Sequence, residues 1–220
     1  MNETTKTPSE TLVEISLNDK KISAPAGSTI LDVCKQADIE TPTLCWAENL
    51  TPVNACRVCV VEVEGSRALV PSCSRPIEEG MVVSTDSERV NTSRRMVLEL
   101  LASSVELDRA DKEILEWIIH YGSNPDRMGN SNEIKTLKQP VKIQDDLYVR
   151  DYERCILSYK CVEACGEEAQ HTFAITTAGR GFEAHISTEF DIELPDSACV
   201  YCGNCIGVCP TGALVFKTEH

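Results

Sequence analysis

The chain has 220 residues, 21 basic and 35 acidic side chains, a formal net charge of −14 and only 5% aromatic residues. That balance excludes a nucleic-acid binder, which needs basic patches. No apolar run approaches a membrane span, and the polar start MNETTKTPSE lacks the apolar stretch of a secretory signal, so twelve cysteines in a soluble cytoplasmic protein point to metal binding rather than disulfides.

TLVEISLND alternates apolar and polar residues, the period of a strand. Asn18-Asp19 is a hairpin turn signal, and KKISAPA returns as a second strand. Ser28 is expected to cap a short helix, TILDVCKQAD. After a long loop come the strands CVVEVEG, ALVPSC and GMVVST. Strand pairs around one helix suggest a β-grasp arrangement. Cys45, Cys56, Cys59 and Cys73 follow one another at x10, x2 and x13 spacing. Three come from one loop and the fourth from a distal strand end. Cys34, beside Val33 on the apolar face of the helix, reads as a small buried hydrophobe. Arg57 lies between two of the cysteines. It reads either as an electrostatic stabiliser of a reduced metal centre or as a surface arginine.

SERVNTSRRMVLELLASSVELD carries Val90, Met96, Val97, Leu100 and Leu101 at helical spacing, with Asp86 or Ser87 as the cap. ADKEILEWIIHYG places Ile114, Leu115, Ile118 and Ile119 on a second helix that Gly122 ends. Residues 123–147 lack periodicity and read as a connector. No cysteine lies between Cys73 and Cys155, so no metal cluster is expected there, and His120 reads as an ordinary helix residue.

Cys155, Cys161 and Cys165 follow in C-x5-C-x3-C. HTFAITTAGRGFEAHIS then reads as two strands around a turn at 178–181. His171 and His185 on this insert read as structural or surface residues. CVYCGNCIGVCP, from Cys199 to Pro210, is an unbroken C-x2-C-x2-C-x3-C-P run. Zinc pairs are normally separated by a dozen or more residues rather than two. Three cysteines three residues apart wrap the corners of a cubane, and Gly203 reads as the point where the backbone approaches inorganic sulfide. No glycine-rich phosphate loop, nicotinamide motif or catalytic constellation stands out.

This run resembles the bacterial two-cluster ferredoxins. Against it, the earlier motif reads C-x2-S-x2-C-x3-C, with Ser158 where the second cysteine belongs. The resemblance implies crossed ligation: Cys199, Cys202, Cys205 and Cys165 on one [4Fe-4S] cluster, and Cys155, Cys161 and Cys209 on the other, with Ser158 at its fourth corner. Ser158 leaves four readings: an alkoxide ligand, a three-iron [3Fe-4S] site, an exogenous ligand, or loss of that cluster. TPTLC, LTPVNACRVCVVEVEG and VPSCSRPIEEGM are similar to the N-terminal [2Fe-2S] domain of complex I G subunits, NAD-linked hydrogenase subunits and iron-only hydrogenases. The resemblance implies that Cys45, Cys56, Cys59 and Cys73 hold a [2Fe-2S] cluster. Complex I G subunits and iron-only hydrogenases carry a histidine and three cysteines in the middle region, which this chain lacks. FDIELPDSACVYCGNC and FAI…AGRGFEA resemble NAD-dependent formate dehydrogenases and small iron–sulfur subunits of NAD-linked hydrogenases. Relatives there carry cysteine at the Ser158 position.

The expected fold is α+β. A β-grasp [2Fe-2S] ferredoxin-like domain spans 11–85, a helical scaffold and connector 86–147, and a two-cluster 4Fe-4S domain 148–220. The expected role is an iron–sulfur electron-transfer subunit with no active site of its own. It would relay electrons between a flavin/NAD(P)-binding subunit and a catalytic subunit such as a hydrogenase, formate dehydrogenase or aldehyde oxidoreductase, in an assembly that is a candidate for electron bifurcation. Because the chain stops at FKTEH, the catalytic chemistry is expected on other polypeptides. The alternatives are a stand-alone ferredoxin and an iron–sulfur redox sensor.

Overall fold

Residues 11–129, 141–143 and 145–220 are described by a computed structural model. The polar start and part of the expected connector lie outside the described residues. The chain divides into two compact units. One holds the chain up to Thr41 together with Cys59–Asn91; the other holds Pro42–Val58 with Thr92–His220.

The first unit is a five-stranded sheet. Its strands are β1 (Leu12–Leu17), β2 (Lys20–Pro25), β3 (Val60–Val63), β4 (Val70–Pro71) and β5 (Val82–Ser84), with one helix, α1 (Ile30–Gln36). The strand order is β2-β1-β5-β3-β4. β1 and β5 run parallel and the other neighbours antiparallel, as a β-grasp sheet requires. The β1–β2 turn puts Asn18 and Asp19 at φ 47° and 65°, the left-handed pair a two-residue hairpin needs. Asn18 also ties the turn to the end of β5: its side-chain oxygen accepts from the Thr85 amide at 2.8 Å. The β1 alternation buries Ile15 and Leu17 against Ile30, Val33 and Cys34 of α1 and Val61 and Val83 of the sheet. Cys34 is fully buried in this aliphatic core.

Thr29, not Ser28, caps α1. The Thr29 side chain accepts from the Asp32 amide, and the Asp32 carboxylate accepts from the Thr29 amide at 2.8 Å. Ser28 instead gives its carbonyl to the Ile77 amide, which holds the entry to the helix outside it. The T-x-x-D pattern is a capping box readable from sequence.

Two longer helices follow, and most of their residues belong to the second unit. α2 (Glu88–Ser104) starts at Ser87, whose hydroxyl accepts from the Val90 amide. α3 (Lys112–His120) ends at Gly122, which sits at φ 59°. Within this unit Leu44 and Val58 of the long loop pack on Leu98, Ile114 and Trp117. The buried stripes differ from the expected ones. On α2, Val90, Arg94 and Leu98 are buried, while Met96 and Leu100 are exposed. On α3, Trp117 is buried and Leu115 and Ile119 face solvent. The polar Arg94 is accommodated because its guanidinium donates to the Tyr121 hydroxyl at 2.8 Å. The Glu99 carboxylate, also buried, accepts from the Arg127 Nε at 3.0 Å.

The cysteine-rich end has little regular structure. It contains β6 (Tyr148–Arg150), α4 (Lys160–Cys165), β7 (Thr176–Ala178), β8 (His185–Ser187), α5 (Asn204–Gly207) and β9 (Leu214–Phe216). β6 pairs with β9 and β7 with β8, both antiparallel. The tight turn expected at 178–181 is instead a loop over 179–184, closed by the Ala178–His185 pair and carrying a 3-10 turn at Gly181–Glu183, with Gly179 at φ 74°. A side chain on Gly179 would collide with the Glu183 carbonyl oxygen.

Candidate metal centres

In the first unit, the β3–β4 register sets Cys59 opposite Ser72. The Ser72 amide and hydroxyl both donate to the Cys59 carbonyl, at 3.2 and 2.8 Å. Cys59 and Cys73 are thereby held at adjoining strand ends, 2% and 1% exposed. In the second unit, the loop Pro42–Val58 brings Cys45 and Cys56 together with sulfurs 3.3 Å apart. Two thiolates on one tetrahedral metal, each at about 2.3 Å, sit about 3.8 Å apart, so this pair is close to ligand spacing. The shared hydrogen bond from Cys45 holds the Cys56 thiol down at about 6, while the same bond and burial push Cys45 up. Arg57, which follows Cys56, is exposed and takes φ 59°.

The two C-terminal loops share a backbone pattern that spacing alone does not reveal. After Cys155, Leu157 and Tyr159 take φ 51° and 61°; after Cys199, Tyr201 and Gly203 take φ 55° and 77°. The left-handed residues thus fall two and four positions after the first cysteine in both loops. Left-handed turns alternating with ordinary ones point successive amides into a concavity that favours anions. Three of the four left-handed residues carry a side chain, at a cost of about 1 kcal/mol each. The Tyr201 amide donates to the Cys199 sulfur at 3.4 Å, and the Leu157 amide bonds Cys155 in the same way. In this alignment Ser158 falls in the position Cys202 holds in the second loop.

The charges acting on each C-terminal thiol come mainly, though not exclusively, from cysteines of both loops in a crossed pattern. Burial pushes Cys155 up to about 11, with Cys209 adding to it against the Leu157 amide. Burial raises Cys161 as well, followed by the charges of Cys155, Cys209 and, from the other loop's group, Cys205. Burial takes Cys205 up to about 12, with Cys165, Cys202 and Cys199 adding. Cys199 is raised by burial first, and Cys165, Cys202 and the carboxylate of Asp145 all act on it. Cys155, Ser158, Cys161 and Cys209 line one cavity together with Arg150 and Tyr152. The cavity they enclose is small, about 20 Å³. Ser158 is 8% exposed. The thiols that burial raises, Cys155, Cys161, Cys199 and Cys205, hold their protons unless a soft metal takes the sulfurs as thiolates, so the donor set fits iron–sulfur binding.

Gly203 is required by conformation. A side chain there would meet the Phe216 ring at 3.5 Å, an ordinary contact, whereas φ 77° is the left-handed region. Sequence reasoning missed Arg150, Tyr148, Tyr152 and Asp145, which surround the two groups. Tyr148, 4% exposed, has its ring 5.5 Å from Tyr201 and 5.9 Å from Phe216. Its hydroxyl is pushed up to about 12 by burial and then by Cys205, Cys199 and Cys202. No spacing marks these residues, because strand pairing brings them in. His120 stands exposed, its ring edge-on to Trp117. The His185 Nδ1–H donates to the Glu183 carbonyl, 2.7 Å away.

Residues 10–88 match the 2Fe-2S iron-sulfur cluster binding domain, and residues 154–213 match the 4Fe-4S dicluster domain. The chain is 37% identical over 219 residues to the NADP-reducing hydrogenase subunit HndD of Solidesulfovibrio fructosivorans, covering 95% of this chain and 36% of that protein. It is 33% identical over 216 residues to the NADH-ubiquinone oxidoreductase 75 kDa subunit of Reclinomonas americana, covering 94% of this chain and 30% of that protein. It therefore spans about a third of the length of either relative. Among solved structures, a chain of an NAD+-reducing [NiFe]-hydrogenase in the H2-reduced state superposes with a TM-score of 0.75 at 24% identity, covering 93% of this chain and 87% of that one. That likeness shows the fold. No helix among the described residues is long and apolar enough to cross a membrane.

Proposed function

On the premise that a 2Fe-2S domain and a 4Fe-4S dicluster domain share this chain, we propose that it is the iron–sulfur electron-transfer subunit of a multi-subunit NAD(P)-linked oxidoreductase. Cys45, Cys56, Cys59 and Cys73 hold a [2Fe-2S] cluster. Cys165, Cys199, Cys202 and Cys205 hold one [4Fe-4S] cluster. Cys155, Cys161 and Cys209 hold the other, with the Ser158 oxygen closing its fourth corner. Bound there, the clusters supply one-electron acceptors in series. The chain's own residues bury Cys45, Cys59, Cys73 and Cys161, partly bury most of the other ligand cysteines, leave Cys202 exposed, and aim backbone amides at Cys155 and Cys199. The observation that carries this reading is the matched left-handed backbone of the two loops, with Cys209 of the second loop lining one cavity beside Cys155, Ser158 and Cys161 of the first.

The partners are a flavin/NAD(P)-binding subunit and a catalytic subunit such as a hydrogenase or formate dehydrogenase, in the cytoplasm. The names of the relatives, an NADP-reducing hydrogenase subunit and an NADH-ubiquinone oxidoreductase subunit, support that class of assembly. The working segments are 11–85, 86–147 and 148–220. Anaerobic purification with iron and sulfide counting and EPR tests the reading. About ten irons per chain are expected for one [2Fe-2S] and two cubane clusters. About nine, with a signal in the oxidised protein, would make the Ser158 site three-iron. A colourless or zinc-loaded protein would overturn the reading.

A further inference from the structure

The two groups of C-terminal cysteines lie beside opposite charges. Arg150 lines the cavity of Cys155, Ser158, Cys161 and Cys209 and is the one cation among its lining residues. It is 4% exposed. Its place is fixed on both sides: β6 pairs it with Leu214, and its backbone exchanges two hydrogen bonds with Lys142, at 2.9 and 3.0 Å. A guanidinium keeps its charge at any working pH, whatever it contacts. That charge is felt inside the cavity: it acts on Tyr152, another of the lining residues, against the effect of burial. It also reaches Asp191, which is itself paired with Lys142 and accepts from the Ser187 hydroxyl at 2.8 Å.

The other group has an anion at its edge. Asp145 accepts from the amides of Leu147 and Tyr148, at 2.6 and 2.7 Å. The second of these bonds anchors the carboxylate beside Tyr148, whose ring lies against Tyr201. Tyr201 follows Cys199 by two residues, and its amide donates to that sulfur. Asp145 is half-buried, so solvent screens it more than Arg150.

Reduction adds one negative charge to a site. A fixed cation beside that site therefore favours its reduced form, and a fixed anion disfavours it. We infer that Arg150 and Asp145 are potential-setting residues that build a one-way gradient. Arg150 raises the reduction potential at Cys155, Cys161 and Cys209. Asp145 lowers it at Cys165, Cys199, Cys202 and Cys205. An electron entering the second site is thereby drawn toward the first. This rests on the cluster assignment proposed above.

The test is a mediated titration of the full chain, loaded and handled without oxygen, with dithionite as the electron source and EPR reading each cluster. Arg150→Gln should weaken reduction of the Cys155/Cys161/Cys209 site about tenfold, a downward shift of ~59 mV for one electron. Arg150→Lys should restore most of that shift. Asp145→Asn should favour reduction of the other site about threefold, an upward shift of ~28 mV by the same constant. Each variant should leave the remaining cluster close to its original value. The inference is overturned if Arg150→Gln moves neither midpoint or both equally, or if Arg150→Lys shifts as far as Arg150→Gln. Should Arg150→Gln fail to take up iron, Asp145→Asn decides: an unmoved midpoint at its site overturns the gradient. A wild-type chain that binds no iron at these cysteines defeats the cluster assignment instead, which the iron count reads separately.

Discussion

Around β1 and β5 the core is aliphatic. Ile15, Leu17, Val33, Val61 and Val83 are each no more than 1% exposed, and they interlock across a sheet whose register the β1–β2 turn fixes. Around α4 and α5 the corresponding cluster contains Tyr148, Cys161, Ile175, Ile186 and Leu194, with Cys155, Cys165, Cys199 and Cys205 packed against it. Much of that second core is sulfur, and its strands are three residues long. Burying aliphatic surface stabilises without help. Burying thiols that carry metal ligand charge stabilises only when the metal is bound, so metal binding and folding become one equilibrium there. The Arg154 side chain illustrates the accompanying polar construction: it pairs with Glu106 at 3.3 Å and Asp151 at 2.9 Å.

The sharpest way to break the comparison is to remove the metal. In chelator-stripped protein, amides of residues 155–215 should exchange nearly as fast as in an unfolded chain, while β1, β3 and β5 keep their protection. Hydrogen exchange read by mass spectrometry separates the two, and equal loss in both regions would erase the distinction. Leu17→Ala should do the converse. A cavity in the aliphatic core costs about 3 kcal/mol, seen as a lower denaturant midpoint for the N-terminal sheet with the visible absorption of the C-terminal clusters retained.

A smaller effect is expected from Glu99, which belongs to neither core. The Arg127 guanidinium hydrogen-bonded to it holds its carboxyl below the usual carboxylate range, against the effect of burial. Its folded value is depressed, so its contribution is present above the unfolded value of about 4.3 and is lost as pH falls through the folded one. Denaturation midpoints of the native chain should therefore drop below about pH 4, and Glu99→Gln should flatten that drop. A pH profile unchanged by the substitution would show that the pair carries no linkage. The smallest effect sharpens the N-terminal side: Thr29→Ala removes the cap of α1 and should cost about 1 kcal/mol, with Thr29→Ser near wild type. Thermal midpoints of the two variants check it.

Ligand spacing and the strands were legible because both are local. The alternation in Leu12–Leu17, the Asn18-Asp19 turn and the C-x2-C-x2-C-x3-C-P run each depend on residues a few positions apart. The helix faces were less legible. Met96 and Leu100 have the right spacing to be buried, yet they are exposed, because α2 turns Arg94 and Glu99 inward to partners at Tyr121 and Arg127. Cap placement at Thr29 was readable from T-x-x-D, but Ser28 is an equally good cap type, and the contact of its carbonyl with Ile77 selects between them.

By itself the sequence determined which residues are metal-ligand types, their spacing, the β-grasp character of the N-terminal strands and the acidic, aromatic-poor composition. Only the tertiary structure decided that Leu157 and Tyr159 repeat the left-handed positions of Tyr201 and Gly203, so that the loop around Ser158 follows the backbone of its all-cysteine counterpart. It alone brought Arg150 to one group of sulfurs and Asp145 to the other. The reason is that spacing fixes what a loop can hold, whereas charge and backbone strain at a site come from strands distant in the chain, whose pairing no local pattern encodes.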